Sequence, residues 1–177
     1  MIIAISGRTA SGKTTLARAL AKALGGTAGS FGDYVRKLAA ALGREPDRPN
    51  LQAIGQAAVE VDAAGFLADF LRWLGPPAGG DLVLDGLRHA SVRDALLAHA
   101  EAVGTQIHFV HIRTDDHQRA ERLRARGDDD DATASHDAHP SEADVRDRLS
   151  EEADLRITRS EDLERMVAEI MDSLRLA

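Results

Sequence analysis

The feature that most constrains this chain is a glycine-bearing loop near its amino terminus. A short apolar segment at residues 2–5 precedes GRTASGKT at residues 7–14, and a helix with apolar residues at every fourth position follows. The order of strand, loop and helix around G-x-x-x-x-G-K-[ST] is that of the phosphate-binding P-loop. The sequence therefore predicts an α/β fold in which the first strand-to-helix loop holds the phosphates of a nucleotide.

Several residues of this loop have a defined role in binding phosphate. Glycine at positions 7 and 12 permits backbone turns that a side chain would block, so that successive N–H groups and the helix N-terminus face an anion. The Lys13 ammonium is expected to reach the β- and γ-phosphates, and the Thr14 hydroxyl to bind Mg²⁺. The predicted cofactors are ATP and Mg²⁺, and the residues expected to bind the nucleotide are Gly7, Thr9, Ala10, Ser11, Gly12, Lys13, Thr14 and Thr15.

Composition narrows the classes of function. The 177 residues suffice for one well-buried α/β domain and are few for two. A net charge of -7 argues against nucleic acid as a principal partner, because binding to a phosphate backbone needs a basic surface. No segment approaches the roughly 20 apolar residues of a membrane span. We therefore predict one cytoplasmic domain over residues 1–177, a monomer or homodimer, with neither a membrane nor a nucleic-acid partner.

Strands alternate with helices along the rest of the chain, which predicts a doubly wound parallel sheet in three layers. Further strands are expected near residues 27–30, 81–86, 105–112 and 154–158. Further helices are expected near residues 33–42, 51–74, 91–103, 114–126, 141–152 and 160–174. The residues expected to cap them are Asp33, Ser91 with Asp94, Ser141 with Asp144, and Ser160.

The predicted third strand ends in an acid. Asp85 follows three apolar residues, which is the place of the second Mg²⁺-binding acid in P-loop proteins; the alternative is an ordinary turn acid at a strand end. In hydrolysing ATPases a water-orienting glutamate typically comes next, whereas here Gly86 does, and this favours transfer to a bound acceptor. Asn50 is the only asparagine, so the guanine-reading N-K-x-D motif of GTPases is absent, as is the transporter motif L-S-G-G-Q.

Several segments together resemble a known group of proteins. The P-loop GRTASGKTT, the segments SFGDYVRK and DGLRH, the arginine-rich RAERLRAR and the late ADLRITRSED are similar to the nucleoside and nucleotide monophosphate kinase family, which includes deoxynucleotide monophosphate kinase and dephospho-CoA kinase relatives. The resemblance spans nearly the whole chain. It implies a five-stranded parallel sheet of order 2-3-1-4-5, an acceptor-binding helical insert at residues 32–76 and a lid region at residues 119–141.

Carried over by position, the resemblance assigns roles to further side chains. Thr14 and Asp85 would hold the metal. The residues expected at the acceptor are Asp33, Arg36, Arg48, Gln52, Gln56 and Arg88. The expected catalytic residues are Lys13, Asp33, Arg88, Arg119 and Arg122, while Arg126 and Arg156 are expected to contact ATP.

The chemistry of phosphoryl transfer agrees with these arginines. The reaction spreads negative charge over oxygens, so the protein supplies mainly cations and positioning, and a guanidinium binds two oxygens at once. An acceptor that is itself a phosphate would explain Arg36, Arg48 and Arg88. An alcohol acceptor instead needs a general base, for which Asp33 is the candidate.

We therefore predict an ATP- and Mg²⁺-dependent kinase acting on a small nucleotide-like acceptor, in first place a (deoxy)nucleoside monophosphate. The alternatives are a hydroxyl-acceptor kinase of the dephospho-CoA kinase type and a nucleotide sensor that binds ATP without transferring phosphate. The structural alternatives are a solvated face for the arginines of helix 114–126, a core or cleft-wall role for the aromatic rings Phe31, Tyr34 and Trp73, and a solvated loop rather than a metal site at residues 128–139.

Overall fold

A computed structural model describes residues 1–77, 79–125, 127 and 140–176, and for residues 140, 141, 175 and 176 it describes the backbone. Five strands form one sheet in which all neighbouring strands are parallel. They are β1 (Ile2–Gly7), β2 (Thr27–Ser30), β3 (Leu82–Leu87), β4 (Ile107–Arg113) and β5 (Leu155–Thr158). Their order is β2-β3-β1-β4-β5, so the predicted fold class and strand order are confirmed.

Helices connect the strands and cover the sheet. They are α1 (Lys13–Leu24), α2 (Phe31–Ala41), α3 (Arg48–Leu74), α4 (Ala90–Ala102), α5 (Asp116–Ala125), α6 (Pro140–Arg146), α7 (Arg148–Glu151) and α8 (Leu163–Leu176). None of them, over the part of the chain that the structure describes, has both the length and the apolar character needed to cross a membrane.

The central strand β1 is buried along its whole length, because it has a strand on either side and helices on both faces. Alternate side chains of a strand point to opposite faces, and β1 divides the core accordingly. Ile3 and Ile5 belong to the cluster formed with α1 and α8, while Ile2 and Ala4 belong to the cluster formed with α2, α3, α4, α6 and α7. The loops that follow β1 and β3 consequently meet at the carboxyl edge of the sheet, where the crevice of such folds binds ligands.

Two helix caps differ from prediction by a few residues. Helix α2 begins at Phe31 rather than Asp33, and Ser30, with an extended backbone, accepts a hydrogen bond from the N–H of Asp33 at 3.2 Å. Asp33 therefore lies in the first turn and is not the cap. At α8, Asp162 accepts from the Arg165 N–H at 2.9 Å, so this carboxylate and not Ser160 caps the helix.

The two predicted capping boxes were wrong, and both errors have the same cause. Helix α4 begins one residue before Ser91, and its first N–H, that of Ala90, donates to the carboxylate of Asp144 at 2.9 Å. Asp144 thus caps a helix of another part of the chain. Asp94 accepts instead from Arg148 at 2.9 Å, and both changes follow from the packing of α6 and α7 beside α4.

Helices predicted as continuous are interrupted. Within α3, Asp62 has an extended conformation, with φ of -160° and ψ of 95°, and its carboxylate accepts from the Gly65 N–H at 2.8 Å. Asp62 therefore starts a second helical segment after a sharp bend. The helix predicted for residues 141–152 is likewise divided into α6 and α7 at Asp147.

Candidate active site

The loop between β1 and α1 has the backbone of an anion cradle. Gly7 has a φ of +145°, and a Cβ there would lie 2.8 Å from the Ile112 carbonyl oxygen, so a side chain does not fit. Gly12 has a φ of +87° at the start of α1, which L side chains rarely adopt. The sequence pattern thus coincides with two positions where glycine is sterically required.

Lys13 is folded inward over this loop. Its ammonium donates to the carbonyl oxygens of Gly7 at 2.6 Å and Arg8 at 2.7 Å, and to the Ser11 hydroxyl at 3.3 Å. Burial, with a further contribution from the positive charge of Arg88, lowers the pKa of Lys13 from 10.5 to about 7, although nearby carboxylates oppose this. A negatively charged ligand at this ammonium would stabilise its charged form.

Thr14 and Asp85 meet across the first turn of α1. Asp85 pairs in register with Ile5 of β1, and its Oδ2 accepts from the Thr14 hydroxyl at 2.5 Å. Its Oδ1 is buried and has no hydrogen-bond partner within the described residues. A hydroxyl and a buried carboxylate with an unused oxygen are the hard oxygen ligands that Mg²⁺ prefers, so these residues fit a divalent cation.

A cleft of about 350 Å³ opens in front of the P-loop. One side is formed by residues 9–15 and Asp85, and the opposite side by α2, α3 and the segment after β3. Apart from Ala10 of the P-loop, the apolar side chains of the cleft are Phe31, Val35, Leu51, Val59, Phe66, Leu87 and Val92. Phe31 is therefore a cleft wall, whereas Tyr34 is buried in an aromatic cluster with Phe66, Phe70 and Trp73.

The predicted acceptor residues separate into two groups. Four of them line the cleft: Arg36, Arg48, Gln52 and Arg88. Asp33 and Gln56 do not line it. The Asp33 side chain is 52% exposed and accepts from Arg36 at 2.7 Å, and the Gln56 amide donates to Glu60 at 2.6 Å. No carboxylate of the described residues other than Asp85 lines the cleft.

Thr9 connects the P-loop to the opposite side of the cleft. Its hydroxyl oxygen accepts from Arg48 at 2.7 Å and from Arg88 at 3.2 Å, and the hydroxyl donates to the carboxylate of Glu142 at 3.0 Å. Arg88 also forms a salt bridge with Glu142. Glu142 was not among the predicted site residues, because its position in the sequence shows only a helix start and gives no sign of contact with the P-loop.

Two arginines of α5 donate hydrogen bonds to backbone carbonyls of the same loop. Arg119, which is 3% exposed, donates to the Thr9 carbonyl at 3.1 Å, and Arg122 donates to the Ala10 carbonyl at 3.3 Å. Arg159 lies over Gly12, since a Cβ on that glycine would be 2.9 Å from its Nε. Burial, together with the charge of Arg122, lowers the pKa of Arg159. Arg126 and the loop 128–139 lie outside the described residues.

Arg156, predicted to contact ATP, lies in a different pocket. Its guanidinium donates to the Ser150 carbonyl at 2.6 Å and to that of Glu151, and it lines a depression together with Arg8, His111 and Arg113. Arg159, three residues later, is the arginine of this segment that lies at the P-loop. Alternate residues of β5 point to opposite faces of the sheet. The face on which Arg156 lies could therefore not be assigned before the sheet was known.

The sheet order, the two sterically required glycines, and the contact between Thr14 and a strand-end carboxylate define a P-loop protein. The chain belongs to the AAA domain family, whose model matches residues 3–143.

Two curated relatives carry the name UPF0200 protein. The one from Aeropyrum pernix is 34% identical over 127 residues, which cover 71% of this chain and 65% of that protein. The one from Thermococcus onnurineus is 32% identical over 139 residues, covering 74% and 71%. The chain thus spans slightly less than two thirds of the length of the Aeropyrum protein.

Solved structures with this fold include several kinases. A gluconokinase from Sinorhizobium meliloti has a TM-score of 0.61 at 21% identity, covering 99% of this chain and 92% of that one. A shikimate kinase from Bacteroides thetaiotaomicron has a TM-score of 0.60 at 15% identity, covering 99% and 98%. The APS kinase of Mycobacterium tuberculosis has a TM-score of 0.56 at 16% identity, covering 98% and 96%. The chain therefore shares the fold of these three kinases.

Proposed function

We propose that this protein is an ATP- and Mg²⁺-dependent kinase that transfers a phosphoryl group to a small phosphorylated acceptor, in first place a (deoxy)nucleoside monophosphate. The observation that carries the proposal is the cleft itself. Lys13, Thr14 and Asp85 line one side, and three guanidinium groups line the other. Such an arrangement suits two anions held face to face, because it supplies cations to both the donor and the acceptor.

The nucleotide half of the proposal rests on the P-loop contacts. Thr14 and the free Oδ1 of Asp85 are the residues that would hold Mg²⁺. Bound there, the metal would neutralise charge on the phosphate oxygens. Lys13 would exchange its carbonyl partners for phosphate oxygens, and Arg119 and Arg122 would keep the loop in its conformation through the carbonyls of Thr9 and Ala10.

The acceptor half rests on charge and on the cleft wall. Arg36, Arg48 and Arg88 can bind phosphate oxygens in pairs. The apolar wall that includes Phe31 and Phe66 suits the flat face of a base, so a monophosphate with a planar group matches both features.

A hydroxyl acceptor is favoured less by this cleft. Such a reaction needs a base near the acceptor oxygen. Asp33 is largely exposed and paired with Arg36, and Asp85 is bonded to Thr14. The dephospho-CoA type of kinase and the non-catalytic sensor therefore serve as alternatives that the experiment separates.

The decisive experiment is a coupled ADP-release assay with Mg²⁺, ATP and a panel of acceptors. The panel contains ribo- and deoxyribonucleoside monophosphates, nucleosides and dephospho-CoA. Acceptor-dependent ADP release with monophosphates supports the proposal. Release with nucleosides or dephospho-CoA alone would replace it with the hydroxyl-acceptor kinase. ATP binding without ADP release for any acceptor would favour the sensor.

A further inference from the structure

Glu142 is a buried carboxylate behind the wall of the cleft. It lies on α6, is 2% exposed and does not itself line the cleft. Its Oε1 accepts both from Arg88 and from the Thr9 hydroxyl, and its Oε2 is buried without a hydrogen-bond partner within the described residues. A carboxylate taken out of water in this way requires compensation, which the neighbouring guanidinium provides.

The hydrogen bonds of Thr9 extend the influence of Glu142 to two arginines. A threonine hydroxyl has one proton to donate and two lone pairs to accept. Because the proton is donated to Glu142, both lone pairs are available, and Arg48 and Arg88 donate to them at 2.7 and 3.2 Å. If the carboxylate were absent, the hydroxyl proton could rotate toward the guanidiniums and would oppose these contacts.

The positive charges around Thr9 also need a negatively charged partner. Lys13, Arg48 and Arg88 bring three cations to one region, and the positive charges of both arginines lower the pKa of Lys13. Burial raises the pKa of Glu142, but the charge of Arg88 and the hydrogen bonds from Arg88 and Thr9 outweigh it, so the pKa lies below its ordinary value. The carboxylate is therefore ionised at neutral pH.

We propose that Glu142 is a positioning residue of the active site, which orients the Thr9 hydroxyl and the Arg88 guanidinium so that Arg48 and Arg88 face the acceptor. It acts through these groups and does not touch the substrates. This role deepens the proposed kinase function and rests on it for its effect on turnover.

The test compares the wild type, Glu142→Gln, Arg88→Ala and the double variant. The first readout is acceptor-dependent ADP release with the monophosphate that gives the highest wild-type rate. Glu142→Gln is expected to lower kcat/KM for the acceptor by about ten- to a hundredfold, as for the loss of a charged hydrogen bond. In the Arg88→Ala background the same change should lose the part of its effect that acts through Arg88 and keep only the smaller part that acts through Thr9 and Arg48, because interacting residues are not additive. An equal fold-loss in both backgrounds would overturn the inference.

Two further variants separate positioning from folding. Glu142→Asp keeps the charge and is expected to recover part of the activity, and it serves as the test variant if Glu142→Gln does not fold. The matched control is the Arg93 and Glu152 pair, another arginine–glutamate contact, at 3.0 Å, in which neither residue lines the cleft. Arg93→Ala and Glu152→Gln are expected to lower the melting temperature together while kcat/KM stays within about twofold.

Calorimetric titration with MgATP makes the test independent of the acceptor. Arg88 lines the same cleft as Lys13 and donates to the Thr9 hydroxyl of the P-loop, so it should contribute to the binding of phosphates there. Glu142→Gln is expected to weaken MgATP binding several-fold in the wild-type background and much less in Arg88→Ala. If no acceptor is phosphorylated, the kinase proposal fails, and this titration still decides the role of Glu142: equal weakening in both backgrounds would refute it.

Discussion

The two sides of the cleft are assembled in opposite ways. The proposed nucleotide side consists mainly of consecutive residues, 9–15, which line the cleft as one loop. The proposed acceptor side takes single side chains from α2, α3 and the segment after β3, and it is supported by Glu142, which is 133 residues from Thr9 in the chain. A binding site made of one loop is a property of local sequence, whereas a site made of four segments depends on how these segments pack.

The electrostatics of the two sides differ as well. Lys13 is enclosed by carbonyl oxygens and loses much of its basicity by burial. The acceptor-side arginines instead have side-chain partners, Asp33 for Arg36 and Glu142 with Thr9 for Arg88. A single substitution on the nucleotide side should thus lower activity strongly. A single substitution on the acceptor side should lower it less, because several residues share the binding there.

The largest effect is expected at Lys13. Lys13→Ala should reduce acceptor-dependent ADP release by roughly a hundredfold or more, because it would remove the cation proposed to face the transferred phosphoryl group. The control is Lys22→Ala, an exposed lysine on the same helix, which should retain wild-type turnover. Appreciable turnover in the Lys13 variant would contradict the assignment of the nucleotide side.

Next in size is the loss of an acceptor-side arginine. Arg48→Ala should raise the KM for a monophosphate acceptor by about ten- to a hundredfold, while the KM for MgATP changes much less, because Arg48 enters the cleft from α3. Arg44→Ala, an exposed arginine shortly before α3, is the matched control and should leave both constants unchanged. Equal increases in both KM values would show that the two sides do not divide the substrates between them.

A third measurement tests the lowered pKa of Lys13 through the proton that is taken up when MgATP binds. Since the pKa of Lys13 is about 7 in the protein alone and phosphate charges raise it, binding of MgATP at pH 8 should take up close to one proton. At pH 6 the lysine is already protonated in both states, and uptake should approach zero. Calorimetry in buffers of different ionisation enthalpy measures this number. Uptake that persists in Lys13→Met would assign the proton to another group.

The smallest effect is expected at Asp33. Asp33→Asn should change kcat/KM for a monophosphate by less than about twofold, because the carboxylate is exposed and its pair with Arg36 lies at the surface. A kinase for a hydroxyl acceptor would instead lose nearly all activity in this variant, with little change in acceptor binding. The rates of the wild type and of Asp33→Asn on the best acceptor therefore distinguish transfer to a monophosphate from transfer to a hydroxyl group.

Much of the fold was predictable because its signals are local. The alternation of strands and helices and the P-loop pattern depend on neighbouring residues, and the sheet order that a family resemblance implied is the one observed. The caps were less predictable. Asp144 stabilises α4 and Asp62 bends α3, and both outcomes depend on tertiary neighbours or on one dihedral angle that propensity does not fix.

By itself the sequence determined the P-loop, the threonine that follows its lysine and the strand-end Asp85, because motif spacing and backbone sterics act within a few residues. The tertiary structure alone decided which charged side chains join that loop. It turned Asp33 outward, placed Arg159 rather than Arg156 against Gly12, and buried Glu142 beside Thr9. The reason is physical: strand register and helix packing choose the face on which a long side chain emerges, and no local pattern records that choice.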